Sequence, residues 1–514
     1  MMWKHYFFAV MGGSVLLFVA TALFNILVDP YDLWMVPRYQ GLNLCAVRSE
    51  DRERLSKPIH IIHDKPNAIF LGNSKCDFSI DPDRFTQITG CSSSYNMAMR
   101  NGQPHELRKC LELALKNNPE LDTVILEVDF EMFLSDSTTK NGFDEKQTSR
   151  THITRDNAFR TTLSGDACID SLLTLKRNHE FRYDHLAYER NGKLSEGSLF
   201  SIFSDEASFY KNTRSFLVAK YLDNRHFNED IYKDKFHEIE CIAELCKENN
   251  IELKVFVPPV HAIHLDAYDM YWEHYAQWEK ELASIVPFTD FARYNAFTMT
   301  DPDLPLEENP HFWDSAHIKV FVGDMVLDCL YGIPNGNTPE NFAVQVTAEN
   351  VEEHLAETKQ QHAEWASQNT QLKNKLAAIG QFVSQCPSPS ASEAALMDNL
   401  ATIDKLGDGI TLQQTDILFF EGTLSLDSHC IQTVYTVLED PAGKRFYTML
   451  NKKWNANTTD WAMLFRPSTS TAYDFMTGAI LQNVPPGEYQ VRTMVVQNDG
   501  KSYISPGLRK LSVI

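Results

Sequence analysis

From Tyr6 to Val28 the chain reads "YFFAVMGGSVLLFVATALFNILV", with no charged residue and only Ser14, Thr21 and Asn25 as polar interruptions besides the glycines. A helix that is apolar on every face has no polar side to turn to water, as a helix covering a soluble core would. Rising about 1.5 Å per residue, the stretch crosses a hydrocarbon core of ~30 Å. Ala20-Thr21-Ala22 has the small-x-small look of a signal-peptide cleavage site. The apolar run nevertheless continues through Leu23, Phe24, Ile26, Leu27 and Val28, too long for such a signal. The reading is therefore an uncleaved single-pass anchor over residues 1–30. Lys4 precedes it and Arg38, Arg48, Arg52 and Arg54 follow, so the positive-inside count is indecisive. Long soluble domains cross largely regardless of charge. This puts the tail inside and the bulk in the periplasm or extracytoplasmic space, on the inner (cytoplasmic) membrane.

At 514 residues the chain exceeds a single core, so two or three domains are expected. Hydrophobic content of 43%, with 31 Phe and 19 Tyr, belongs to folded domains. A formal charge of −22 excludes a general nucleic-acid binder, which needs clustered Lys and Arg. The ten cysteines show no CxxC and no zinc-type spacing, and no disulfide framework is readable. Cys110 and Cys241 are expected on apolar helix faces, where cysteine acts as a small hydrophobe.

Residues 31–64 read as a juxtamembrane segment. From 65 to 335, strand-like and helix-like stretches alternate. "AIFL" (Ala68–Leu71), Ser94–Met97, "TVILEVDF" (Thr123–Phe130) and "IELKVFVPP" read as strands. "PHELRKCLELALKNNP" sets Leu107, Cys110, Leu111, Ala114 and Leu115 at helical spacing. "IYKDKFHEIECIAELCKENN" does the same with Tyr232, Phe236, Ile239, Ala243 and Cys246. Such pairing predicts a parallel α/β sheet, whose chemistry gathers at the carboxyl ends of its strands. The aperiodic stretch from Glu131 to Glu229 is expected to supply loops over that edge. Residues 346–382 carry a weak heptad (Val351, Leu355, Leu372, Leu376, Ile379), giving a long helix with at most coiled-coil character. "CPSPSASEAA" opens a linker over 383–415. From 416 to 514, short strands between turn signals such as Asp440-Pro441-Ala442-Gly443 predict an all-β sandwich, immunoglobulin-like in the loose sense.

The strand Ala68–Leu71 stops at Gly72, and "GNSK" presents a lone Ser74 at the sheet edge. Much later, "WDSAH" sets Asp314 and His317 in a D-x-x-H arrangement before a helix. Serine needs an adjacent base, and the base needs a carboxylate to fix its tautomer. Each piece has an ordinary reading as well: Gly-Asn-Ser is common turn chemistry, and Asp before a helix is a common N-cap. Glu127 and Asp129, at a strand end, read as solvated or structural before they read as acid–base groups. His311, Asp314 and His317 are metal-ligand types, but a spacing of i, i+3, i+6 across a helix start does not converge. His261 and His264, beside a double proline, border the same cleft. Trp454, Trp461, Tyr473 and Phe475 are either β-core or a stacking surface for sugar rings.

"GNSK" after a strand, "YNMAMRNGQP" one strand later and "WDSAH" near the domain end together resemble SGNH/GDSL-type serine hydrolases. More narrowly, they resemble membrane-tethered members that acylate or deacylate polysaccharides. The resemblance covers residues 65–335 and implies a flavodoxin-like three-layer α/β/α sandwich. In it Ser74 is nucleophile, His317 base and Asp314 its partner. The oxyanion hole it implies uses the backbone N–H of Ser74, that of Gly102 and an asparagine side chain. Here "LEVDF" has Asp129 in place of that asparagine, and an ionised aspartate cannot donate a hydrogen bond. Asn96 or Asn101 is the expected replacement. Asn73 likewise stands where the family's name-motif has Asp.

The implied reaction is a two-step acyl transfer, needing neither metal nor cofactor, from an acyl donor to a polysaccharide acceptor or to water. An integral-membrane protein delivering acyl groups would fit as partner. The missing asparagine is the best support for the alternative, an inactive scaffold that binds polysaccharide or a membrane partner.

Overall fold

The apolar run forms one uninterrupted helix, Met2–Val28, long and apolar enough from Trp3 onward to cross a membrane. The computed structural model describes residues 2–49, 52–134, 137–180, 187–204, 229–269, 272–302, 304, 308–370, 372, 394–403, 408–412, 417–425, 431–448, 452–453, 473–481, 484–497 and 499–514. The chain divides into two compact units near Gln368.

A six-stranded sheet organises the first unit. Its strands are β1 (Ala68–Leu71), β2 (Ser94–Asn96), β3 (Thr123–Glu127), β4 (Glu252–Val257), β5 (Phe288–Asp290) and β6 (Val344–Val346), in the order β2-β1-β3-β4-β5-β6. The first five pair in parallel, and β6 closes the edge antiparallel to β5. β1 and β3 are buried at every position, which is why they read as unbroken apolar runs rather than alternating ones. With the right-handed crossovers that parallel strands require, the β1→β2 connection goes to one face and the later connections to the other. Helices Ser74–Ser79, Pro82–Thr89 and Val320–Leu330 pack together, and Pro104–Asn117 packs against Glu229–Glu248. The order reverses between β1 and β3, so the carboxyl end of β1 lies at the switch point where ligands bind in such sheets.

Several boundaries differ from the sequence reading. "TVILEVDF" is a strand only to Glu127, because Asp129 caps a helical turn, its Oδ1 accepting from Glu131 N at 3.1 Å. The juxtamembrane segment 31–64 carries a helix of its own. Helix Glu53–Asp64 packs on Pro104–Asn117, with Lys57 buried against Asp77 (2.6 Å) and Arg54 forked onto Glu106 (2.9 Å). The stretch 346–382 contributes the end of β6 and helix Val351–Gln368, which packs on Trp272–Ile285 and buries Val351, Leu355 and Trp365. The helix therefore belongs to the α/β unit, which ends at Gln368; Leu376 and Ile379 lie outside the described residues. Cys110 is buried as expected, whereas Cys241 is half-exposed.

The second unit holds two sheets. One orders Lys452–Lys453, Tyr473–Ile480, Ile417–Leu424 and Ala401–Ile403; the other is built around Ile431–Glu439 and Gly487–Gln497. Leu418 and Leu424 of the first share a buried cluster with Val434, Leu438, Val491 and Leu511 of the second. The supposed linker 383–415 supplies strands to both sheets. Ala395–Leu396 and Ile410–Leu412 join in parallel with Ser502–Ile504 and Arg509–Val513, a departure from all-antiparallel immunoglobulin pairing. Trp454 and Trp461 lie outside the described residues.

Candidate active site

β1 ends at Gly72, where a side chain would overlap Glu127 Oε2 and come within 2.8 Å of Cys76 Cβ. Glycine is required by that close approach. Asn73 then caps the helix Ser74–Ser79, its side chain accepting from Lys75 N at 2.8 Å, and Ser74 takes the first helical position. Ser74 Oγ lies 2.9 Å from His317 Nε2, across 243 positions of sequence. Asp314 Oδ1 lies 2.9 Å from His317 Nδ1, and accepts from the backbone N–H groups of Ala316 (2.8 Å) and His317 (2.9 Å). Burial alone would raise the Asp314 carboxyl, but His317 and these N–H groups hold it below its ordinary value. Asp314 is no helix cap, since Lys319 occupies that position for Val320–Leu330. The ring centroid of His317 lies 4.9 Å from that of Phe78 and 5.7 Å from that of Phe203, and Phe203 stacks on Trp313. Phe203 and its neighbours Tyr188, Leu194 and Leu199 come from the aperiodic stretch expected to cover this edge.

The expected oxyanion donors are not all brought together. Asn96 is buried, and its Nδ2 donates to the carbonyls of Cys76 and Ile80 (3.0 Å each), bracing the serine helix instead. The Gly102 N–H donates to Met99 O at 2.8 Å; a Cβ there would sit 2.5 Å from Gly72 O, so this glycine is needed for packing. Asn101 is exposed, in a left-handed turn with φ 54°. The Ser74 N–H, at the helix start, has no intrahelical acceptor.

Sequence reasoning missed what lies beside Ser74. Lys75, 3% exposed, is ion-paired with Asp129 and lies 3.0 Å from Glu131 Oε1. Burial opposes the Lys75 charge, but Asp129, Glu131 and Glu127 hold its ammonium above the ordinary lysine value. Asp129 also accepts from Asn73 Nδ2 at 3.0 Å. Asn73 and Asp129, the two positions at which the resemblance breaks, are therefore bonded to each other. Glu131 accepts from Tyr268 OH (3.1 Å) and contacts His264 Nε2 (2.5 Å). Glu127 Oε2 accepts from Asn73 N at 2.7 Å; burial and the nearby Asp129 push this carboxyl up to about 8. The available signal was an acidic D-x-E at a buried strand end with a lysine beside the serine.

The histidines near the double proline are structural. His264 serves Glu131, and His261 Nε2 lies 2.7 Å from Thr300 O, its pKa lowered by burial to about 4. His311 turns to Thr300 Oγ1 (2.5 Å), away from the serine-facing His317, so His311, Asp314 and His317 do not form a metal cluster. Among the described residues, Glu279, Asp290 and His354 place ligand-type atoms within 4.8 Å of one another. His354 Nε2 lies 3.1 Å from Asp290 Oδ2 and 3.3 Å from Glu279 Oε2. Arg293 Nη1, a donor only, faces His354 Nδ1 at 3.1 Å. Burial opposes the His354 charge, but Asp290 and Glu279 hold its pKa up at about 10, so the imidazole is the counter-charge of these two carboxylates and ties helix Val351–Gln368 to them rather than offering a lone pair to a metal. No family model matches the chain, and no curated protein matches it.

Proposed function

We propose that the chain is a membrane-anchored serine acyltransferase or esterase of SGNH type, acting on O-acyl, especially acetyl, groups of an envelope or exported polysaccharide. The observation that carries this reading is the file Ser74 Oγ, His317 Nε2, His317 Nδ1, Asp314 Oδ1, each contact 2.9 Å long. The strand order is consistent with a flavodoxin-like sandwich bearing its nucleophile at the switch point. In the proposed cycle Ser74 attacks an ester carbonyl while His317 Nε2 takes the hydroxyl proton. Asp314 keeps the Nδ1–H oriented and stabilises the imidazolium. The tetrahedral oxygen gains its negative charge beside the Ser74 N–H, and the proton passes from His317 to the leaving alcohol. Water or a sugar hydroxyl, deprotonated by His317, then attacks the acyl-serine and restores the enzyme. Phe78, Phe203 and Trp313 form an apolar wall that excludes water and suits a short acyl chain or a sugar face. Met2–Val28 would hold this unit at the outer face of the inner membrane, with an acyl-delivering membrane protein as a fitting partner. The C-terminal sandwich, immunoglobulin-like in this reading, would be an accessory module.

The second reading, an inactive scaffold, draws support from the engaged Gly102 N–H and Asn96 amide. Loss of one oxyanion donor costs roughly 10²–10³ in rate. A fluorophosphonate probe discriminates. An enzyme is modified at Ser74, and the labelling disappears in His317→Ala; a folded wild-type protein that resists labelling is a scaffold. Turnover of an acyl-ester donor, with and without an oligosaccharide, then separates transfer from hydrolysis.

A further inference from the structure

We propose that the α/β unit is seated directly on the bilayer through helices Arg155–Thr162 and Gly165–Glu180, a placement that rests on reading Met2–Val28 as a membrane span. The span is longer than a membrane requires. Its 27 residues extend about 40 Å, against a hydrocarbon core of ~30 Å, leaving a surplus of about two turns. Those last turns, from Thr21 on, are where the helix begins to be covered: Asn25 is 0% and Val28 4% exposed. What covers them is the pair of helices at 155–180. Asn25 Nδ2 donates to Thr162 O and Asn25 Oδ1 accepts from Ser171 Oγ, both at 2.8 Å. The one amide in the lower span thus spends its hydrogen bonds on the domain, as a polar group near lipid must.

There is also no slack beyond the helix. Asp29 accepts from Leu33 N (2.8 Å) and Trp34 N (3.0 Å), Tyr31 OH donates to Asp170 (2.5 Å), and Asn43 Nδ2 reaches back to Leu27 O (3.3 Å). The outer side of the same level stays apolar and exposed: Leu23 is 53% and Leu27 62% exposed. On the covering helices Phe159 is 56% exposed, and Leu172, the residue after Ser171, 44%. With the helix fixed to these elements, a membrane around Leu23 and Leu27 meets Phe159 and Leu172 at the headgroup boundary, where amphipathic helices bury such side chains. Asp156 and Asp166 stand among Arg155 and Arg160, so the face has no basic excess. Apolar insertion, not attraction to anionic lipid, holds it.

The test uses the full-length protein in phosphatidylcholine nanodiscs containing a lipid with a photoreactive diazirine near the glycerol backbone. Cross-linked peptides are mapped by mass spectrometry. Adducts on residues 155–175 are expected to exceed those on the exposed face of Glu229–Glu248 by about threefold or more, at low and high salt alike. In the double variant Phe159→Glu, Leu172→Glu, two exposed positions, they fall to that background while adducts on residues 6–20 persist. Background levels at 155–175 in the wild-type protein, with strong adducts on 6–20, overturn the seating and leave the span intact. Background levels on 6–20 overturn both.

Discussion

Replacing Lys75 by methionine tests whether the support beside the serine is electrostatic. Methionine keeps most of the stem volume and removes only the ammonium. In the wild-type protein that ammonium, 3% exposed, sits against Asp129 and 3.0 Å from Glu131, with Glu127 fully buried nearby. Without it Asp129 retains the Asn73 amide, and Glu131 retains Tyr268 and His264. Among the described residues no other cation is ion-paired with Asp129, so a buried carboxylate loses its counter-charge. Breaking such a pair from one side costs about 3–5 kcal/mol. At roughly 2–4 °C per kcal/mol for a domain of this order, Tm falls by about 6–20 °C. Because burial and its partners leave the folded Lys75 pKa above its ordinary 10.5, the stabilisation is fully present below that value and lost only above it. Lys75 itself stays charged from pH 6 to pH 9, but Glu127, pushed up to about 8 by burial although Lys75 draws it down, ionises in that window, so the deficit should be at least as large at pH 9 as at pH 6. Thermal unfolding of the full-length protein measures it. Adding Asp129→Asn should recover about 1–3 kcal/mol relative to the sum of the single losses. A Lys75→Met loss below about 1 kcal/mol, the worth of a surface pair, would refute the reasoning.

Two further outcomes follow from the packing. Gly102→Ala places a Cβ 2.5 Å from Gly72 O and 3.0 Å from Met99 O, both backbone atoms, so the corner before Ser74 must shift. Stability should drop by about 1–3 kcal/mol and probe labelling of Ser74 should slow; no change in either contradicts the close approach. Burial, and then the neighbouring Asp290, hold the Glu279 carboxyl above its ordinary 4.5. Its stabilising share is complete below that pH and is lost as pH rises through the raised value, so wild-type Tm should decline above about pH 5. Glu279→Gln should flatten that decline, and equal slopes in both proteins would remove Glu279 as its source.

The parallel sheet and the Ser74–His317–Asp314 file were legible because both depend on local pattern. An unbroken apolar strand, a glycine corner and a D-x-x-H leave marks within a few residues. What stayed hidden is long-range and polar. Helix Glu53–Asp64 contains Glu53, Arg54 and Lys57, charged residues inside what reads only as a juxtamembrane segment, yet all three are buried against Tyr188, Glu106 and Asp77 respectively. Helix Val351–Gln368 looked independent because its buried His354 and Thr358 break the heptad. The oxyanion candidates failed for a related reason: residue type says that Asn96 can donate, but only packing decides that it donates to Cys76 O and Ile80 O. The linker looked like one because strands as short as Ala395–Leu396 carry no period.

A helix of six residues is too short to hold itself in water, so the position of Ser74 must come from outside it. The ties are identifiable: Lys75 to Asp129, Asn96 to the carbonyls of Cys76 and Ile80, and Asp77 to Lys57 and Tyr188. His317 is positioned independently by Asp314, so the 2.9 Å contact between serine and imidazole requires both supports to be correct. Lys57 isolates the first support. It is 1% exposed, donates to Asp77 (2.6 Å) and Ala98 O (2.5 Å), and lies 4.5 Å from the centre of the Tyr188 ring; these contacts involve neither Ser74 nor His317. Lys57→Met should therefore tilt the short helix and slow fluorophosphonate labelling by about tenfold or more, since a misplacement near 1 Å can cost 10²-fold. If Lys57→Met loses stability but labels Ser74 at the wild-type rate, the helix is positioned by its backbone contacts alone, and the buried lysines serve the fold and not the serine.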